Sequence, residues 1–370
     1  MSKGGIDIEQ VFRVEGLDGV RAAAIVLIVI DHVIEIVCAF HNPDAFSHMH
    51  SSARFALFFA FTAGRLGVDL FFFLTGYLLL PRVFDQAATQ KFYRRNFLSL
   101  LATWELWIVL YNLFIGWLDA TDFRAHVPPE DHFFFVPKPL AIDTLLRNMV
   151  FVEAVGLVHA WYLAAILGVY IFLPIVARTL KTLSDRELLT LTAIAFIYYF
   201  IVPSVDHFTE CTLETWISLS FSGEIFGVYV VLGYIIRRFE PTLIAHKNFL
   251  IAVSIAAIAL TAQIQIDAFK HGEVYLVWHD FCLLPIASIG LFVAIKRAAL
   301  RNRLIEILSR YSFGIYLLHA PILMLLLRFD PSPTLGRGFI WFVSIMALSI
   351  ITIKIFGAAP ALQRLLFRVR

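Results

Sequence analysis

The chain has 370 residues, of which 60% are hydrophobic and 16% charged, with a formal net charge of +2. A soluble domain carries about 45–50% apolar and about 25% charged residues, so there is too little polar material to cover a water-facing surface, and most of this protein is solvated by lipid. The near-neutral charge says nothing about nucleic acid, and with no basic run interleaved with aromatics no nucleic-acid partner is expected.

The N-terminus opens on a polar, partly acidic stretch. The first apolar run contains Arg21, Asp31, His32 and Glu35, which a cleaved signal sequence does not tolerate. From there ten stretches of roughly membrane length follow one another, near 16–40, 58–80, 97–118, 157–177, 188–205, 216–236, 248–268, 275–295, 304–327 and 338–359. Unsatisfied backbone groups are excluded from lipid, so these stretches are expected to be helices. No alternation at barrel spacing competes with that reading. The expected fold is an all-α integral membrane protein of about ten transmembrane helices. It forms one domain over 1–370, with no appended soluble domain. The longest connection, about 119–156, is rich in proline and aromatics, and an interfacial helix is expected near 140–155.

Lys and Arg set the orientation. With the N-terminus inside, the inner segments hold 19 of them and the outer loops 7. That bias predicts both termini in the cytoplasm, which an even number of spans also requires. Cys38, Cys211 and Cys282 are far apart and odd in number, with no zinc-type spacing. Neither a disulfide nor a metal is expected.

The first span carries the chemistry. Ionisable groups in a membrane are costly and by default mark function. Arg21 and His32 are eleven residues apart, three helical turns, so they share a face about 16 Å apart along the axis. Asp18 lies three residues before Arg21 and Glu35 three after His32, both spacings at which side chains meet. A carboxylate beside an imidazole holds one tautomer and stabilises its charged form, as a general base needs. The plainer alternative is an ion-paired helix buried for packing.

Four ordered motifs then carry a resemblance. The first is Asp18-Gly19-Val20-Arg21-Ala22, followed after an apolar run by His32. The second is Gly67-Val68-Asp69 with aromatics and then Thr75-Gly76-Tyr77. The third is Trp161-Tyr162-Leu163, and the fourth is Tyr311-Ser312-Phe313-Gly314-Ile315-Tyr316-Leu317-Leu318-His319-Ala320-Pro321. Together with the span count they resemble acyltransferase family 3, in its stand-alone form without a fused hydrolase-like domain. One departure stands out. Where the family has an Arg-x-x-Arg element at the start of the third helix, Asn96 and Ser99 take those positions, and Lys91 and Arg94 supply basic residues one turn earlier.

The resemblance implies an enzyme of the inner (plasma) membrane. It would move an acyl group, usually acetyl, from cytoplasmic acyl-CoA to a hydroxyl of an envelope glycan or lipid-linked sugar, with no metal. His32 is then the expected base, oriented by Glu35, with Arg21 and Asp18 at the donor end of one channel. Lys91, Arg94, Arg95 and Arg65 are expected to bind the CoA phosphates by charge-assisted hydrogen bonds. Positive-inside anchoring explains the first three equally well. Asp69, Trp161, Tyr316 and His319 complete the candidates, the last three expected mainly to line or pack the channel. His279 is a fallback base. The rival class is a proton-coupled transporter or exporter, and no internal repeat or matched pair of broken helices supports it.

Overall fold

The computed structural model describes residues 16–37, 49–121, 139–209, 224–273, 275–329 and 335–369. Among these the chain forms helices and turns, with no strand. We number the helices α1 (Leu17–Val37), α2 (Ser51–Leu79), α3 (Gln86–Ala120), α4 (Ile142–Met149), α5 (Trp161–Thr182), α6 (Asp185–Thr209), α7 (Glu224–Arg238), α8 (Glu240–Ala245), α9 (Lys247–Lys270), α10 (Leu283–Ala298), α11 (Arg303–Phe329), α12 (Leu335–Ile355) and α13 (Pro360–Phe367).

Seven helices among the described residues are long and apolar enough to cross a membrane: α2, α3, α5, α6, α9, α11 and the stretch Gly336–Ala358. Their outward faces carry large apolar side chains such as Phe172, Phe249, Leu260 and Phe339, as a lipid-solvated bundle requires. The protein is thus a multi-pass membrane protein. The other three expected spans are not among them. The 21 residues of α1 are long enough but carry Asp18, Arg21, Asp31 and Glu35. The helix α10 has 16 residues, below the roughly 20 a full crossing takes. The span expected near 216–236 lies partly outside the described residues, which resume at Glu224 in α7.

Two helices are longer than the sequence suggests. The helix α3 begins at Gln86, capped by the Asp85 carboxylate accepting from Ala88 N. It passes through a π-turn at Tyr93–Phe97 before its apolar part. The helix α6 begins at a capping box made by Ser184 and Glu187, includes a second π-turn at Ile197–Ile201, and spans 25 residues where about 18 were expected. The short α4 falls within the stretch expected to hold a helix between the third and fourth spans.

At the centre stands α2, packed against α1, α5, α7, α9 and α10, while α1 also packs along α11. The α1–α2 contact is backbone-close. A Cβ at Gly64 would lie 2.8 Å from Asp31 Cβ, and one at Gly67 would lie 2.5 Å from the Ala24 carbonyl. Glycine is therefore required at both positions, and that closeness delivers Arg65 to the carboxylates of α1.

Candidate active site

A cavity of about 20 Å³ lies between α1, α2, α11 and the starts of α5 and α10. Its lining includes Asp31, His32, Arg65, His159, His279 and Tyr316. That volume suits one water or one hydroxyl group. Trp161, Tyr162 and the apolar residues Ile28 and Val68 close the remaining wall.

Asp31 and His32 come from successive positions of α1 and Arg65 from the facing turn of α2. Asp31 Oδ2 stands 3.3 Å from His32 Nδ1 and 3.2 Å from Arg65 Nη1. Arg65 Nη2 also reaches Glu35 Oε1 at 3.5 Å. All four side chains are buried. Such a cluster is tolerated only when its charges compensate one another, because removing a single partner strands a buried charge. The guanidinium lies over the ring of Phe61, 4.7 Å from its centroid, and near Trp278. Aromatic faces thus support the cation from behind. Ligand atoms of Asp31, His32 and Glu35 all lie within 4.8 Å of one another.

A layer of imidazoles backs His32. His319 stacks on it at 5.1 Å between centroids, with planes 23° apart. His159 meets His319 edge-on at 4.8 Å. Their tautomers follow from their partners. His319 Nδ1 donates to the Tyr316 carbonyl at 2.5 Å. The Tyr111 hydroxyl donates to the Leu317 carbonyl at 2.8 Å, so at 3.3 Å from His159 Nε2 it accepts. The Tyr316 hydroxyl donates to the His159 carbonyl. Among the described residues this leaves His159 Nδ1 and His319 Nε2 buried without a hydrogen-bond partner, two acceptors next to the cavity.

The opposite wall is His279, on the loop before α10. Its Nδ1 is 2.8 Å from Asp69 Oδ1, and the Ser288 hydroxyl donates to Asp69 Oδ2 at 2.8 Å. The loop is tied down on two sides. Val277 N donates to Gln265, which itself donates to Thr62, and Cys282 N donates to Ser204. Trp161 packs between Phe226, Trp278 and the His279 ring.

The structure brings some of the expected residues together and separates others. His32, Arg65, Trp161 and Tyr316 share the cavity, with His319 stacked behind. Glu35, expected to orient His32, lies within 4.8 Å of it and also pairs with Arg65, while Asp31 stands against His32 Nδ1. Gly64 lets Arg65 in close enough to reach both carboxylates. Nor does Arg65 stand with Lys91, Arg94 and Arg95. It precedes Leu79, the end of α2, by fourteen residues, about 20 Å of helix, whereas those three lie beyond the following turn. Lys91, Arg94 and Arg95 are exposed around the π-turn of α3. Arg21 and Asp18 pair at 2.9 Å, and Ser309 of α11 donates to Asp18 at 2.7 Å, at the far end of α1 from the cavity. His159 and Asp31 were missed as site residues. Both are ionisable groups in apolar surroundings, the same signal that singled out His32.

A model of acyltransferase family 3, described as an acyltransferase domain, matches residues 14–356. No curated protein and no solved structure matches the chain. With nearly the whole chain matched and its helices built for lipid, the protein belongs to acyltransferase family 3 and is a multi-pass membrane acyltransferase.

Proposed function

We propose that the protein moves an acyl group, acetyl in the first instance, from cytoplasmic acyl-CoA to a hydroxyl of an envelope glycan or lipid-linked sugar, with His32 as general base. The observation that carries this is the cavity itself: a buried, hydroxyl-sized space with an imidazole on its wall and a carboxylate at that imidazole's Nδ1. A hydroxyl is a poor nucleophile until a positioned base takes its proton. His32 lies on the cavity wall beside Asp31, whose charge is shared with Arg65, and is the ring proposed to accept the hydroxyl proton. The stacked ring of His319, itself met edge-on by His159, backs it.

The chain crosses the inner membrane ten times in this reading, with both termini cytoplasmic. The helices α1, α7 and α10 cross in company with the seven apolar ones, their short or charged lengths shielded by neighbours. Lys91, Arg94 and Arg95, exposed where α3 begins, meet the CoA phosphates. Arg21, held by Asp18 and Ser309, sits where the donor enters. The thioester then threads along α1 toward His32 while the acceptor hydroxyl comes from the outer side.

The test is direct. Purified protein mixed with acetyl-CoA and an envelope extract should release free CoA thiol and label a glycan or lipid-linked sugar. Label appearing in neither, with no CoA bound in native mass spectrometry, would sink the reading.

A further inference from the structure

The loop that carries His279 to the cavity wall also turns two side chains the other way. Burial alternates along it. Val277 and His279 are inside, whereas Trp278 is 39% exposed and Asp280 is half-buried. The Trp278 ring is held from behind. Its centroid lies 5.3 Å from that of Trp161 and 5.0 Å from that of His279, and the Arg65 guanidinium stands 5.8 Å from it. The backbone on either side is fixed by Val277 N donating to Gln265 and by the Tyr229 hydroxyl donating to the His279 carbonyl. Trp161, His279 and Arg65 all line the cavity, so the Trp278 ring stands at its rim. An indole that anchors a protein at the membrane–water interface packs among lipid headgroups. This one packs on three residues of the site. Asp280 follows two residues later. Its charged neighbours are His279 and His207, and among the described residues no Lys or Arg pairs with it. The exposed His207 stacks on Tyr275 at 4.0 Å, and Tyr275 in turn lies within electrostatic reach of Asp280.

We propose that Trp278 and Asp280 form a subsite for the sugar ring of the acceptor, at the rim of the cavity. This rests on the transfer proposed above and on its topology, in which the loop before α10 faces outside. The cavity of about 20 Å³ takes one hydroxyl and is far too small for a sugar ring. The ring that bears the hydroxyl must therefore rest on the surface next to the cavity. A pyranose offers one face of C–H groups and an edge of hydroxyls. The C–H face packs on an exposed indole by dispersion and apolar burial. The hydroxyls donate to a carboxylate, which has several lone-pair sites for them. Trp278 and Asp280 supply both contacts from one loop, two residues apart. Because the loop is already tied down, little ordering is lost when a ligand arrives. His279, between them in sequence, joins the rim to the wall. The two residues bind the acceptor and take no part in proton transfer.

The experiment compares wild type, Trp278→Phe, Trp278→Leu and Asp280→Ala, all full-length and purified. Envelope extract is titrated at saturating acetyl-CoA, then acetyl-CoA at fixed extract, and CoA thiol release is followed. Trp278→Leu should raise the apparent KM for extract about tenfold, because the stacking face is gone. Trp278→Phe keeps an aromatic face and should stay within about threefold of wild type. Asp280→Ala should raise the extract KM about fivefold, the worth of a lost hydrogen bond. The KM for acetyl-CoA should not follow. If Trp278 only supported Arg65, Trp278→Leu would lower kcat and the unfolding midpoint and leave the extract KM where it was. That result would overturn the subsite and make Trp278 a packing residue or interfacial anchor only. Equal rises in the two KM values would overturn it as well. Should Trp278→Leu not fold, Asp280→Ala decides, and an unmoved extract KM there overturns the proposal. Absence of CoA release by the wild type would instead defeat the transfer reading on which it rests.

Discussion

Arg65 Nη1 and Asp31 Oδ2 are 3.2 Å apart across the α1–α2 contact, and the same carboxylate oxygen is 3.3 Å from His32 Nδ1. One guanidinium thus ties together both buried carboxylates beside the proposed base. Arg65→Gln strands two buried carboxylates and is expected to cost about 3–5 kcal/mol, read as a lower thermal-unfolding midpoint together with loss of activity. Arg65→Lys should recover part of the stability but little activity, because a point charge cannot span both carboxylates as the planar fork does. An Arg65→Gln protein as stable as wild type would contradict the compensation argument.

The two carboxylates of α1 should separate in their effects. Asp31→Asn alters the group at His32 Nδ1 and is expected to lower the transfer rate by about 10²-fold or more. Glu35→Gln leaves Asp31 in place and should show a smaller loss, expressed mainly as reduced stability through Arg65. The reverse order in a side-by-side rate comparison would restore Glu35 as the orienting residue.

Replacing Arg94 and Arg95 with Ala removes two exposed cations from the start of α3. Acetyl-CoA affinity should fall about tenfold or more, since each charge-assisted contact to phosphate is worth about 1.5–3 kcal/mol. Unchanged affinity by calorimetry would reduce these residues to orientation signals.

How far the sequence carried this account depends on the kind of information. Helix existence was legible, because apolar length is a one-dimensional property, and so was His32 as a candidate, because an ionisable group in an apolar run is conspicuous by itself. Pairing was not. The spacing of Glu35 from His32 suits a contact on one helix, but nothing in it shows that Arg65 from another helix also reaches that carboxylate, as the Gly64 approach to Asp31 allows. His279 sits at a loop–helix junction and Asp69 some two hundred residues earlier, so nothing local joins them. The π-turn at Tyr93–Phe97 inserts extra backbone into α3. That changes which basic residues share a face and bears on the departure seen at Asn96 and Ser99.

A cluster at the cytoplasmic end in the proposed topology offers a test of the fold. Glu240 of α8 pairs with Lys296 of α10, accepts from the Tyr77 hydroxyl of α2 at 2.6 Å, and lies 3.5 Å from Arg237 of α7. Partial burial pushes its carboxyl up, and the Lys296 and Tyr77 hydrogen bonds with the charges of Lys296 and Arg237 outweigh this, holding it below its ordinary value of 4.5. A depressed folded value stabilises the native state above the unfolded one and is lost as pH falls through it. Glu240→Gln should therefore lower the unfolding midpoint by roughly 2 °C near pH 7. The gap from wild type should close below pH 4.5. A gap that widens on acidification would reverse the sign of this argument.

The central claim is that His32 removes the acceptor's proton. Its most direct test is the rate of acyl transfer from acetyl-CoA by purified His32→Ala, measured beside acetyl-CoA binding by the same preparation. Base catalysis contributes on the order of 10²–10⁴-fold. The variant should lose transfer on that scale, still insert in the membrane, and bind acetyl-CoA as the wild type does. Transfer by His32→Ala at the wild-type rate would contradict the account.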